Sequence, residues 1–385
     1  MTKLEELIQK LCPNGVEHKP LNEVSEMKRG TSITKKDIVE GEIPVVSGGR
    51  EPAYYCDKYN RDGETITVAG SGAGAGYVQY WTKPIFVCDA FSIQGNPGIQ
   101  TKYIYYFLTN IQDYIYSTKK GGGVPHVHIS SIENVSVPVP PLPVQREIVR
   151  ILDNFTELTA ELTAELTAEL TARKQQYSYY RDSLLTFDNS VPLIALAELC
   201  DIGDGLHGTP EYNDNGEYYF INGNNLSNGR IVFDAKTKRI SSDEYEKIKI
   251  PFGETLLYSI NGTIGNIALY NNENIALGKS AAYFTVTSDK LLLKYLFYVL
   301  QSGQTMSYFE KNLTGSTIKN LGLKTLRDYK IALPPLDVQN RLVEVLDNFD
   351  AICTDLNIGL PAEIEARKKQ YEYYRDKLLT FTPAD

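Results

Sequence analysis

The chain is poor in the residues that usually anchor chemistry. It has four histidines, five cysteines, three methionines and one tryptophan in 385 residues. The cysteines (Cys12, Cys56, Cys88, Cys200, Cys353) are scattered, odd in number and form no C-x-x-C. That pattern excludes a thiolate zinc site and a disulfide framework, and it fits free thiols in a reducing cytosol. No apolar run approaches the roughly 18 residues that a membrane span needs. The opening MTKLEELIQKL alternates charged and apolar residues at helical spacing and lacks the apolar core of a signal peptide. A surplus of basic charge is missing too: 39 Lys and Arg face 48 Asp and Glu, for a net charge of −9.

The charge is unevenly spread. Residues 1–139 carry 14 basic and 15 acidic side chains, and residues 188–333 carry 14 and 16. The remaining segments, 140–187 and 334–385, carry 11 and 17, so most of the excess acid sits there. Two near-neutral bodies can each still present a basic face.

What the sequence does have is a long internal repeat. Residues 140–187 read PPLPVQREIVRILDNFTELTAELTAELTAELTARKQQYSYYRDSLLTF, and residues 334–381 read PPLDVQNRLVEVLDNFDAICTDLNIGLPAEIEARKKQYEYYRDKLLTF. The offset is 194 throughout, without a gap, and 27 of 48 positions are identical. A repeat of this length divides the chain into body, helix, body, helix. The boundaries fall at 1–139, 140–187, 188–333 and 334–385.

Each repeated segment opens on a proline pair, which a helix tolerates at its start and nowhere inside. Asp337 is placed to cap the second copy. From Val144 to Phe187 there is no glycine or proline, and strong helix formers dominate. About 43 such residues make a rod of roughly 65 Å. Leu158, Leu162, Leu166 and Leu170 recur every four residues through a run of Thr-Ala-Glu-Leu tetrads. Ile352, Leu356, Leu360 and Ile364 stand at the same offset in the second rod. Matched stripes predict a packed helix pair. Pro361 predicts that the second rod kinks or splits.

The bodies read as mixed α/β. Short β-type runs (Ile43–Val46, Glu64–Val68, Pro84–Val87; Tyr218–Ile221, Thr255–Tyr258, Ile267–Tyr270) precede an apolar helical stretch, Tyr103–Asn110 or Leu291–Leu300. The bodies share their edges: Gly121-Gly-Gly-Val124 aligns with Gly315-Ser-Thr-Ile318 at the 194 offset. Their interiors read as different.

Several catalytic or cofactor motifs fail on context. The run Gly70–Gly76 resembles a nucleotide loop, but Tyr77–Thr82 after it reads as strand rather than helix, so a tight β-turn is expected. Gly278-Lys279-Ser280 has Glu273 where a P-loop needs its first glycine. His126 and His128 would share one strand face but lack a third metal ligand. The D/N-P-P-Y/F tetrapeptide of amino-directed DNA methyltransferases is absent, as is any Ser/His/Asp or paired-carboxylate constellation.

The tetrads, the P-P-L-x-V-Q opening, L-D-N-F, the block R-K-x-Q-Y-x-Y-Y-R-D-x-L-L-x-F and the segment Gly253–Gly265 together carry a resemblance. The chain resembles the specificity subunits of type I restriction–modification systems, in the branch with tetrad repeats. The resemblance implies a mixed α+β fold with an internal pseudo-twofold repeat: two target-recognition domains separated by two long antiparallel, coiled-coil-like helices. It implies that each domain reads one half of a bipartite double-stranded DNA target, with the helices setting the spacer. It also implies that two modification subunits, carrying the methyltransferase and its S-adenosylmethionine, dock on the helices, and that restriction subunits join them. The chain itself then holds no cofactor, catalyses nothing and needs no membrane. Two other readings stay open on the residues alone: a self-sufficient methyltransferase or nuclease, and a tandem-repeat protein that binds protein or carbohydrate.

Base edges are read mainly by Arg, Lys, Asn and Gln, and phosphates by cations, hydroxyls and backbone N–H groups. The candidates in the first body are Lys28, Arg29, Lys35, Lys36, Arg50, Arg61, Lys119, Lys120, Gly122 and His126. In the second they are His207, Asn222, Asn224, Asn225, Lys238, Arg239, Asn261, Lys279, Lys311 and Lys319. Six tyrosines in two short helical windows exceed what one helix pair buries. Tyr177, Tyr180, Tyr371 and Tyr374 are therefore candidates for contact with partner subunits.

Overall fold

The computed structural model describes residues 2–33, 39–250, 253–315, 317–354 and 360–384. The chain divides into two compact units, residues 1–165 with 365–385, and residues 166–364. Each unit holds one body together with parts of both repeated segments.

The first unit runs α1 (Lys3–Leu11), β1 (His18–Pro20), α2 (Leu21–Val24), β2 (Ser25–Arg29), β3 (Ile43–Val46), β4 (Tyr54–Cys56), β5 (Thr65–Ala69), β6 (Val78–Trp81), β7 (Phe86–Val87), β8 (Ala90–Gly95), α3 (Thr101–Asn110), α4 (Gln112–Ser117), β9 (Ser136–Pro138) and the start of α5 (Leu142–Leu184). A four-stranded antiparallel sheet has the order β2-β8-β5-β6, and a three-stranded sheet has the order β4-β3-β7. All five residues of β5 are buried, as expected of an inner strand covered on both faces. Ile66, Val68, Phe91 and Ile93 of the sheet join Tyr103, Ile104 and Leu108 of α3 and Val144, Ile148 and Leu152 of α5 in one core.

The second unit continues with β10 (Leu193–Ala195), β11 (Cys200–Asp204), β12 (Tyr218–Ile221), β13 (Leu226–Ser227), β14 (Arg230–Ile231), β15 (Lys238–Ile240), α6 (Ser242–Ile248), β16 (Thr255–Ser259), β17 (Ile267–Leu269), β18 (Ile275–Leu277), β19 (Ala281–Val286), α7 (Leu293–Leu300), α8 (Gly303–Lys311), α9 (Leu323–Asp328), β20 (Lys330–Ala332) and α10 (Leu336–Thr354), followed by α11 (Leu360–Leu379). Its sheets have the orders β11-β19-β16-β17 and β15-β12-β18. Strand for strand these are the sheets of the first unit. In both, the middle strand of the small sheet is antiparallel to one neighbour and parallel to the other. The interiors that read as different are therefore one topology built twice. Alternation and burial are kept while individual side chains change, so alignment at a fixed offset does not find the match. Between its equivalent strands the second unit adds the β13–β14 hairpin and α6.

The joints between body and helix repeat more closely. The Gln145 side chain accepts from the backbone N of Gln100 at 2.9 Å and donates to the carbonyls of Pro140 (2.8 Å) and Gly98 (3.3 Å). Gln339 accepts from Leu292 N at 2.9 Å and donates to Lys290 O and Pro334 O, both at 2.8 Å. This is the physical role of the glutamine in P-P-L-x-V-Q: it satisfies backbone groups that a helix start would leave buried and unpaired. The aspartate of L-D-N-F is the second pin. Asp153 accepts from Tyr106 (2.6 Å) and Lys102 (2.8 Å) of α3. Asp347 accepts from Tyr298 and, at 2.7 Å, from Lys294 of α7.

The first rod is one helix, α5, as composition predicts. In the second, the described residues form α10 and α11, Pro361 is the second residue of α11, and residues 355–359, where the expected kink or split would fall, lie outside the described residues. Asp337 is the second residue of α10, inside its first turn, rather than the N-cap expected from the sequence. The leucine stripe needs correction. Leu166 is buried and Leu162 and Leu170 are half-buried, but Leu158 is 60% exposed. A four-residue step turns a helix by about 400°, so a strict tetrad walks about 40° round the axis each time. Past the exposed stretch 154–158 the half-buried and buried positions are Thr159, Leu162, Thr163, Leu166 and Leu170, each three or four residues from another of the set. In the second rod Leu360 and Ile364 are half-buried. The side chains of Ile352 and Leu356 lie outside the described residues.

Candidate nucleic-acid interface

The strands of each large sheet bring one set of loops to one end. In the first unit Arg29 pairs with Phe91, Ala69 with Ala90 and Val68 with Val78, so the ends of β2, β5, β6 and β8 coincide. The run Gly70–Gly76 joins β5 to β6 as a hairpin loop, in agreement with the turn read from sequence. A second loop closes over it: Lys120 N donates to His126 O at 2.9 Å and His126 N to Lys120 O at 2.8 Å. Gly72 N donates to Pro125 O at 3.0 Å, and Val127 N to Gly70 O at 3.0 Å. Arg50 is exposed with its guanidinium 5.0 Å from the Tyr77 ring, and the Lys119 ammonium lies 4.3 Å from the Tyr116 ring. His126 and His128 stack at 6.0 Å with planes 7° apart. The Ser71 hydroxyl is hydrogen-bonded to the Asp89 carboxylate within the same cluster. The structure thus gathers Arg29, Arg50, Lys119, Lys120, Gly122 and His126 at one sheet end.

The second unit repeats the construction with other side chains. Thr314 N donates to Asn320 O and Asn320 N to Thr314 O, both at 2.9 Å, and Gly262 N donates to Lys319 O at 3.2 Å. Lys279 N donates to Leu206 O at 3.0 Å, which brings Lys279 beside His207. One ring nitrogen of His207 is 2.8 Å from an Asp204 carboxylate oxygen. The Ser280 hydroxyl donates to Asn222 Oδ1 at 2.9 Å. His207, Asn222, Asn261, Lys279 and Lys319 therefore converge. Asn224 is exposed on the turn beside Asn222, and Lys311 is exposed in the last turn of α8.

Three of the sequence candidates are spent inside the fold and leave the set. Arg61 is half-buried and donates to Ser92 Oγ (2.6 Å), Asn60 O (2.7 Å) and Arg29 O (2.8 Å); burial lowers its pKa. Arg239 lies 4.3 Å over the Tyr219 ring, is hydrogen-bonded to its hydroxyl and reaches Gly216 O. Asn225 is buried, accepts from Asn222 N at 2.9 Å and donates to Val232 O at 3.1 Å. Local side-chain-to-backbone bonds of this kind leave no trace in residue type. Lys28 is exposed on β2 but ion-paired with Glu26 at 2.6 Å. Lys238 lies on β15 of the small sheet. Lys35 and Lys36 lie outside the described residues.

The tyrosine windows divide by exposure. Tyr371 packs inward, 3.0 Å from Thr156 Oγ1, and Tyr177 joins the core of the second unit, so these two are withdrawn as partner contacts. Tyr180 and Tyr374 are 41% and 40% exposed and lean on Phe349 and Phe155. The outermost rings are Tyr179 and Tyr373, at 71% and 62% exposed.

Two copies of one mixed α/β body, each joined to a repeated helix and each presenting cations and amides at the same sheet end, define a tandem recognition protein. The chain belongs to the type I restriction modification DNA specificity domain family, whose model matches residues 13–172 and 193–366. It is 31% identical to a putative type I restriction enzyme specificity subunit of Haemophilus influenzae, over 99% of both chains. It is 33% identical to the EcoR124I/EcoR124II specificity subunit of Escherichia coli, over 73% of this chain and 70% of that one. A solved chain from work on complex assembly and conformational transition of the type I restriction–modification system matches with a TM-score of 0.68 at 19% identity, over 95% of this chain and 98% of its own. That last likeness concerns the fold.

Proposed function

We propose that this chain is the DNA-recognition subunit of a type I restriction–modification complex and that each unit reads one half of a bipartite target. The observation that carries this reading is the recurrence of one sheet end, with its hairpin and exposed cations, on two bodies whose side chains differ there. A common scaffold with different reading residues suits two different half-sites. Lys119, Lys120, Lys279 and Lys319 hold phosphates, and Arg29, Arg50, Asn222 and Asn261 face base edges. The near-neutral bodies supply only part of the phosphate contacts, and the partners supply the rest.

Two modification subunits dock on the repeated helices, one for each copy. They carry S-adenosylmethionine and transfer the methyl group; restriction subunits join the same assembly. The helices set the distance and phase between the half-sites. The test is methylome sequencing of cells that express this chain with its modification subunit. Replacing residues 188–333 by the corresponding body of another family member should change one half of the methylated sequence and leave the other intact. A change in both halves would end the reading.

A further inference from the structure

The charge pattern does not account for one feature of the two hairpins. Val124 and Ile318 stand at equivalent places, 194 residues apart, and are 56% and 62% exposed. Single exposed apolar side chains are ordinary. Two β-branched ones at the same point of two loops that otherwise read GGGVPH and GSTIKN are a pattern.

The backbone explains how each tip is held outward. Gly121 and Gly315 have φ of +111° and +87°, a region that L side chains rarely adopt. A Cβ on Gly121 would lie 2.7 Å from the Val124 carbonyl oxygen, and one on Gly315 would strike that of Ile318. Glycine thus turns the chain tightly, and the paired backbone hydrogen bonds at Lys120–His126 and Thr314–Asn320 close the loop behind the tip. A β-branched side chain has few χ1 rotamers to lose on contact. Lys119 and Lys120 precede one tip and Lys319 follows the other, so each loop carries an apolar point and at least one cation.

We infer that Val124 and Ile318 each pack against a thymine methyl in the major groove, one in each half-site. This rests on the DNA-recognition reading above. In that groove the C5-methyl of thymine is the apolar group on a base edge, while neighbouring lysines suit the phosphates.

The test uses the complex with its modification subunits and a duplex carrying the target found by methylome sequencing. Thymines of each half-site are replaced one at a time by uracil, which removes only the methyl. One uracil in the first half-site should weaken binding about fourfold, the effect of one buried methyl group. Val124→Ala should weaken binding to the unmodified duplex and abolish that uracil sensitivity, leaving the second half-site as before. Ile318→Ala should do the reverse. Val124→Thr keeps the branched shape and should retain most of the sensitivity, which separates loss of contact from loss of the loop. Uracil and tip effects that simply add, or no sensitive thymine, would overturn the inference. A complex that does not distinguish its target from a scrambled duplex would instead remove the recognition reading and this inference with it.

Discussion

The ring of Phe155 lies 5.9 Å from that of Tyr374, and the same pair recurs at Phe349 and Tyr180, also at 5.9 Å. Both members are 194 residues from their counterparts, and the copies exchange roles. In the first unit the phenylalanine comes from the first copy of the repeat; in the second unit it comes from the second copy. In the first unit Phe155, Leu158 and Leu162 of α5 and Arg367, Tyr371 and Tyr374 of α11 line one groove.

Truncating the phenylalanine should therefore have the same cost twice. Phe155→Ala and Phe349→Ala should each destabilise their own unit by about 1–2 kcal/mol, the value for a partly exposed aromatic. Denaturant unfolding of the full chain, with limited proteolysis to locate the weakened unit, checks this. Equal destabilisation of both units by one substitution would contradict it.

The two glutamine clamps should be among the least replaceable residues. Gln145→Ala leaves the Gln100 N–H and the Pro140 carbonyl without partners in a buried joint, at roughly 2–4 kcal/mol. Gln339→Ala should match it in the other unit. Hydrogen exchange at Gln100 and Leu292 would rise by orders of magnitude in the respective variants.

Glu147 predicts a pH dependence for the first unit. Hydrogen bonds from Arg150 and then Lys3 lower its pKa from 4.5 to about 2. A depressed folded pKa stabilises above the unfolded value and is lost as pH falls through the folded one, so the contribution disappears between about pH 4.5 and 2. Glu147→Gln should lower stability at pH 7 by about 1 kcal/mol, discounted because Lys3 is largely exposed, and should flatten the acid limb. Melting temperatures across pH 2–7 for both proteins give the comparison.

The tetrads bear on the proposed spacer. Removing Thr163–Leu166 shortens a helix by about 6 Å and turns it by a net ~40°. One base pair rises about 3.4 Å and twists roughly 35°. The methylated sequence should keep both half-sites and lose about one spacer pair. Deleting two residues turns the helix by about 200° and should abolish methylation. An unchanged spacer in the four-residue deletion would show the tetrads to be passive.

The outermost tyrosines should matter most for assembly. Tyr179→Ala with Tyr373→Ala should weaken binding of the modification subunits at least tenfold without lowering the melting temperature, whereas Tyr371→Ala should lower it. Native mass measurement reads the stoichiometry, two modification subunits per chain in the parent protein.

The sequence by itself determined the body–helix–body–helix order, the continuous α5 and the family. These rest on local rules: helix propensity, proline's missing donor and identity at a fixed offset. The strands Ile43–Val46 and Tyr218–Ile221 were legible for the same reason, since branched and aromatic side chains suit a pleated surface. Tertiary structure alone decided that both bodies share one sheet topology, because strand pairing depends on burial rather than on side-chain identity. It also separated Arg29 and Arg50, exposed at the sheet end, from Arg61 and Arg239, bound within the fold. A guanidinium has the same composition in both places; what differs is the set of carbonyls, hydroxyls and rings that the chain brings around it.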